Sequence, residues 1–159
     1  MKFKGLSERL KRAFDFAMPN EEFWDVGCDH GQLGFYAYKS KQFKKVHFVD
    51  PSEHMIQQLR SKIPNEENIF FWPSKVEDID CEIHGNFIFL GVGASTIHKS
   101  LSQLPALKAR RLILGPHKDS TEIRDLKLAH YHLVGEFLVE ERGRTRPLYV
   151  YDRITSTVV

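Results

Sequence analysis

Strand-like and helix-like segments alternate along most of this chain, and the alternation stops before the end. Apolar runs at 23–27, 45–50, 69–72, 87–90 and 111–114 have the length and composition of strands. Helical spacing of apolar residues separates them, at 34–41, 52–62, 96–104 and 121–129. Strands divided by helices form parallel sheets with helices on both faces. After Ala129 the pattern changes: 133–141 and 148–153 read as two longer strands joined through Gly143, with no room for a crossover helix. They form an antiparallel hairpin added to the sheet. The expected fold is therefore α/β, a mainly parallel seven-stranded sheet with a C-terminal antiparallel hairpin. A preceding helix at 1–18 places Leu6, Leu10, Ala13, Phe14 and Ala17 on one face, with the basic residues mostly opposite, and Pro19-Asn20 ends it. At 159 residues this is expected to be one domain, with the sheet core spanning 21–159.

In open parallel sheets, ligands bind beyond the carboxyl ends of the strands. Four such ends carry unusual residues. The first reads Asp25-Val26-Gly27-Cys28-Asp29-His30-Gly31. Gly27 and Gly31 let the backbone turn sharply and approach a ligand, and Asp29 tolerates left-handed geometry. Asp25 either accepts hydrogen bonds from the loop or engages the amino group of a bound amino-acid moiety. By itself the spacing also fits a plain strand-to-helix turn. The second end is Asp50, about twenty residues on, placed to accept from both hydroxyls of a ribose. Pro51 follows it, and Ser52 caps the next helix. The third is Gly91-Val92-Gly93-Ala94, where small residues let two reacting groups approach to about 3 Å. The fourth, Gly115-Pro116-His117, offers His117 as a contact to an aromatic base. After the third strand, Ser74 or the backbone near Val76 is the candidate contact at that edge.

Composition narrows the setting. The net charge is only +2, but basic residues cluster at Lys2, Lys4, Arg9, Lys11 and Arg12, at Lys39, Lys41, Lys44 and Lys45, at Lys108, Arg110 and Arg111, and at Arg142, Arg144 and Arg146. Such patches permit an RNA partner and serve equally as solvated surface. No apolar run approaches the roughly 20 residues that cross a bilayer, and no signal-peptide core follows Met1, so a cytoplasmic location is expected. Cys28 and Cys81 are isolated, and Cys28, Asp29 and His30 are adjacent rather than spaced as metal ligands, so no metal is expected.

Several segments carry a resemblance. LSERLKRAFDFAMP, DVGCDHGQLGFYAY, FLGVGASTI, RRLILGPHKDSTEIRDL and FLVEERGRTRPLYVYD together resemble the bacterial tRNA (adenine-N1)-methyltransferases that modify an adenine in the D-arm region. That family shows D-[IV]-G-[ST]-D-H-[AG]-Y-L-P-I-Y-L at the first loop and Gly-Met-Gly-Gly at the fourth strand. The resemblance implies Rossmann-like class I methyltransferase topology, S-adenosylmethionine as donor and tRNA as acceptor. It assigns Asp25, Gly27, Asp29 and His30 to the cofactor loop or active-site floor, and Gly91 to the methyl-transfer region. Departures are Gln32 for Tyr, Gly34 for Pro, Val92 and Ala94 for Met and Gly, and Asn86 near an expected acid. The family's helical extension after the hairpin has no counterpart before Val159.

The resulting expectation is a donor site of Asp25, Gly27, Cys28, Asp29, His30, Gly31, Asp50, Pro51, Ser74 and Gly91. Asp29, Gly91 and His117 are the catalytic candidates, Asp29 orienting either donor or acceptor. Phe35, Tyr36, His98 and His117 are candidate contacts to an adenine of tRNA or other structured RNA. Methylation of another RNA or a small molecule, or cofactor binding without catalysis, stays open, as does the oligomeric state.

Overall fold

The computed structural model describes residues 5–155; Lys2 and Lys4 of the first basic cluster lie outside them. Helix α1 (Glu8–Phe16) is capped by Ser7, whose hydroxyl accepts from the Leu10 amide. Then follow β1 (Glu22–Val26), α2 (Gln32–Ser40), β2 (Lys45–Val49), α3 (Glu53–Lys62), β3 (Ile69–Trp72), a 3-10 turn at Val76–Asp78, β4 (Asn86–Val92), α4 (Ala94–Ser102), β5 (Arg111–Pro116), α5 (Thr121–Arg124), β6 (Tyr131–Glu141) and β7 (Arg144–Arg153). They make one seven-stranded sheet in the order β3-β2-β1-β4-β5-β7-β6. The first five strands pair in parallel, while β7 runs antiparallel to both β5 and β6. Arg142 and Gly143, at φ 50° and 74°, supply the two left-handed residues that a tight hairpin of the right twist requires.

The period-two alternation of the strands sorts the core into two layers. Trp24, Val26, Phe87, Phe89, Leu112 and Leu114 pack on one side with Ile97 and Leu101 of α4. Phe23, Val46, Phe48, Ile88 and Ile113 pack on the other with Ala13, Leu33, Ala37, Ile56 and Leu59 from α1, α2 and α3. Asn86 is fully buried and structural. Its carboxamide donates to the carbonyls of Met18 and Glu22 and accepts from the Met18 amide, pinning the chain as it enters β1.

Element ends differ from expectation in physically explicable ways. The helix expected over 121–129 stops at Arg124. The Tyr151 hydroxyl donates to the carbonyls of Ile123 and Arg124, which a continuing helix would give to residues 127 and 128. Leu126 and Leu128 pack against the core instead. Strand β4 runs on through Gly91 to Val92, with a register shift between Leu90 and Val92. The basic residues of α1 divide: Lys11 and Arg12 are exposed, whereas Arg9 turns inward.

Behind β1 and β2 sits a neutral histidine. His47 stacks on Trp24 with ring centroids 3.5 Å apart, and its Nδ1 accepts from the Trp72 indole at 3.0 Å. Its Nε2 therefore carries the proton and donates to Glu22 at 2.7 Å. Burial pulls its pKa from 6.5 down to about 4, against the raising effect of Glu22. Between those pH values the unfolded chain binds a proton that the folded chain does not. The group's contribution, roughly 3 kcal/mol, is present above pH 6.5 and is lost as pH falls toward 4. His47→Gln, which retains an acceptor and cannot titrate, should lose less stability than wild type over that window in urea unfolding. Parallel pH profiles for the two chains would contradict the assignment.

Candidate functional site

The carboxyl ends of β1, β2 and β4 open into a cavity of about 680 Å³, within the range of small-molecule sites. The glycine loop after β1 forms its floor. The Cys28 amide donates to the Val49 carbonyl at 2.9 Å, and the Asp29 amide to Asp50 Oδ2 at 3.0 Å, so the loop is tied to the end of β2. Gly31, at φ 73°, begins α2. A Cβ there would stand 2.5 Å from a Leu59 methyl, so the left-handed turn and the close approach to α3 together favour glycine.

Asp25 is buried on the cavity wall, and its Oδ2 accepts from the Gly34 amide at 2.9 Å. Burial raises its pKa from 3.8 to about 7; the Gly34 hydrogen bond opposes this, and the charges of Asp50 and Asp29 add to it. Asp50 has both oxygens engaged, Oδ2 by Asp29 and Oδ1 by the Ser52 amide at 2.9 Å. Each carboxylate oxygen has a second lone pair, so the loops orient the group without exhausting it. Beyond β3, Ser74 to Glu77 form the wall, and Ser100 and Lys99 of α4 complete it. The Cys28 thiol is pushed up by burial and by Asp25, Asp50 and Asp29, which keeps it protonated and unreactive.

At the far end stands Gly91, at φ 76°, with the Arg9 guanidinium 3.5 Å from where its Cβ would be. Arg9 lines the cavity with its side chain only 15% exposed. Its Nε and Nη1 are sealed from solvent without a hydrogen-bond acceptor. Glu141 lies 3.9 Å from Nε, beyond hydrogen-bond range. Burial lowers the Arg9 pKa, Glu141 opposes this, and nearby Arg146 adds to the lowering.

Asp25, Gly27, Cys28, Asp29, His30, Asp50, Pro51, Ser74 and Gly91 thus share one cavity wall. Two expected site residues do not line it. Gly31 shapes the loop from beneath. His117 stands exposed past β5, its amide donating to the Val92 carbonyl and its own carbonyl accepting from Arg146. Phe35, Tyr36 and His98 also lie off the cavity. Tyr36 packs edge-on against Phe14, and His98 pairs with Glu122. Arg9 was counted only as surface charge, although it sits three residues after Leu6 and four before Ala13, on the inward stripe of its helix.

The family model described as a methyltransferase domain matches residues 6–148, which takes in every residue of the cavity. The chain belongs to that family. Among curated proteins it is 27% identical over 135 residues to "Putative tRNA methyltransferase MG248" of Mycoplasma genitalium, covering 82% of this chain and 62% of that one. The chain therefore spans less than two thirds of that relative's length. Its fold is similar to the crystal structure of the B. subtilis M1A22 tRNA methyltransferase TrmK, with a TM-score of 0.81 and 22% identity over 94% of this chain and 67% of that one. It is similar also to M. capricolum TrmK in complex with S-adenosyl-homocysteine, with a TM-score of 0.80 and 20% identity over 93% and 69%. These similarities establish the methyltransferase architecture expected from the alternating elements and the closing hairpin.

The buried Asp25 of this methyltransferase domain has a measurable consequence. The folded chain keeps the carboxyl protonated up to about pH 7, while the unfolded chain releases the proton near 3.8. Its contribution is therefore present at low pH and is lost, by roughly 4 kcal/mol, as pH rises to 7 and above. This opposes the trend from His47. Asp25→Asn, which retains an acceptor for the Gly34 amide and cannot ionise, should gain stability relative to wild type from pH 4 to 8 in urea titrations. A constant difference across that range would contradict it.

Proposed function

We propose that this methyltransferase domain uses S-adenosylmethionine to methylate N1 of an adenine in tRNA. The observation that carries the reading is the convergence of Asp25, Gly27, Asp50, Ser74 and Gly91 on one cavity at the strand ends. The residues fit such a donor. Asp50 has a lone pair on each oxygen for a ribose diol. Ser74 and the backbone at Val76 border the side where an adenine would lie, and Gly27 leaves no side chain between floor and ligand. Bound there, the donor supplies an electrophilic methyl group on a sulfonium.

The chain's own part is to position and exclude. Gly91 presents bare backbone at the end of β4, leaving space for an acceptor to approach in line. Asp29, held at φ 50° with its amide on Asp50, stands at the cavity edge to orient either partner. Adenine N1 is unprotonated near neutral pH, so its attack needs no general base. The protonated Cys28 thiol offers no competing nucleophile.

The tRNA part rests on the curated Mycoplasma relative and on the segments that resemble the adenine-N1 enzymes. Lys75 and Lys99, exposed on the wall, supply positive charge where a polyanion would meet the cavity. The same reading assigns the chain to the cytoplasm. Among the described residues no helix is long and apolar enough to cross a membrane.

The test is transfer of labelled methyl to unmodified tRNA, with the product nucleoside identified by mass spectrometry. N1-methyladenosine is expected. Asp50→Ala should weaken donor binding by about tenfold or more, the scale of hydrogen bonds to a charged group, while leaving tRNA affinity unchanged. Label on another RNA or a small molecule would overturn the tRNA assignment, and donor binding without any transfer would overturn catalysis.

A further inference from the structure

We infer that the segment leaving β5, residues 117–120, is a preformed rim on the acceptor side of the cavity. Lys118 there takes a phosphate of the RNA, and the hydrogen bond between Tyr149 and Asp119 holds the rim in place. The inference rests on the RNA reading above and adds the surface that meets the acceptor. Sheet order locates that surface. Asp50 follows β2 and Ser74 follows β3, so a donor fills the cavity from that side up to Gly91 on β4. Beyond β4 come β5 and β7, and an acceptor approaching Gly91 from the side opposite the donor passes their ends.

The rim is held at every residue but one. The His117 amide donates to the Val92 carbonyl at 3.1 Å, and its carbonyl accepts from Arg146 Nη1 at 2.7 Å. Asp119 Oδ1 accepts from the Tyr149 hydroxyl and from Arg124 Nη2, and Arg124 is itself fixed by both oxygens of Glu136. The Ser120 amide donates to the same Tyr149 hydroxyl at 3.0 Å. Tyr149 is fully buried, so the anchor belongs to the core. Lys118 is exposed and has no partner among the described residues. Arg142 and Arg144, at the tip of the β6–β7 hairpin, are likewise exposed and unpaired among them, and Arg146 ties that hairpin to His117. The rim's one acid is offset by Arg124. A fixed backbone thus presents cations beside the methyl-transfer end, and a cation on backbone already ordered loses less freedom when it meets a phosphate.

Binding of unmodified tRNA at several salt concentrations tests this. Calorimetric binding of S-adenosylhomocysteine to each variant checks folding and the donor end. Lys118→Ala should weaken tRNA binding by up to about tenfold at about 0.1 M salt. It should also lower the slope of log affinity against log salt by about one, the loss of one phosphate contact. Lys44→Ala, an exposed lysine at the opposite end of the strands, should change neither. For Asp119→Ala the two accounts differ in sign. Losing an acid strengthens polyanion binding through charge alone, whereas a released rim weakens it. Weaker binding is expected. Tyr149→Phe cuts the same anchor from the core side without a change of charge and should reproduce the loss, and Lys118→Ala added to either should cost little more. Asp119 is exposed, so its variant decides the point if Tyr149→Phe does not fold. S-adenosylhomocysteine should bind every folded variant about as it binds wild type. An unchanged slope in Lys118→Ala, or tighter tRNA binding by Asp119→Ala, would overturn the inference. A Tyr149→Phe chain with a lowered thermal midpoint and the full slope would make the hydroxyl a core strut and overturn it likewise. Wild type that binds S-adenosylhomocysteine but no tRNA would instead remove the RNA reading, and the rim with it.

Discussion

One carboxylate, that of Asp50, ties together the two loops that define the cavity. Its Oδ2 takes the Asp29 amide from the glycine loop, and its Oδ1 takes the Ser52 amide at the start of α3. Hydrogen bonds to a charged acceptor are the stronger kind. Here each satisfies a backbone donor that sits at a chain reversal, outside regular pairing. The glycine loop therefore has its shape without a ligand, and α3 begins where Ser52 can cap it. Gly31 can then press against Leu59 of α3, and α2 follows over the sheet. The acid that orients the loops also faces the cavity, so the same group builds the site and remains available within it.

Three titratable groups sit in or behind this region at a cost to the fold. Asp25 is buried with a single backbone donor, Arg9 is sealed without acceptors on two of its nitrogens, and His47 is kept neutral between Trp72 and Glu22. Their positions separate their meanings. His47 faces the core layer under Trp24, has both ring nitrogens satisfied and touches no cavity wall, which is the pattern of a structural residue. Asp25 and Arg9 are incompletely satisfied and line the cavity.

Much of this was legible in the sequence because it depends on local chemistry. The alternation of elements gave the parallel sheet, and the missing crossover helix before Leu148 gave the antiparallel hairpin. Glycines and acids at strand ends gave most of the cavity wall, since those positions must converge in any open parallel sheet. What failed depended on contacts distant in sequence. The short α5 is decided by a tyrosine hydroxyl on β7. Arg9 was hidden for a different reason. A charged residue on an amphipathic helix is ordinarily solvated, and here its cationic head instead reaches into a cavity formed by strands far along the chain.

The departures from the adenine-N1 pattern also sort themselves once their environments are known. At the fourth strand, the residue that needs a left-handed backbone is Gly91, and it is glycine here as in the Gly-Met-Gly-Gly loop. Val92 and Ala94, which differ, have side chains packed against the core, and Val92 additionally gives its carbonyl to His117. Apolar side chains exchange at such positions with modest adjustment. At the first helix, Gly34 supplies an amide that proline lacks, and Asp25 takes it. A chain with proline there must satisfy that buried acid differently. The substitution therefore gives the buried Asp25 a backbone donor that proline would withhold. Differences from the pattern fall on packing and on the tuning of Asp25, and the bare backbone at Gly91, on which close approach depends, is kept.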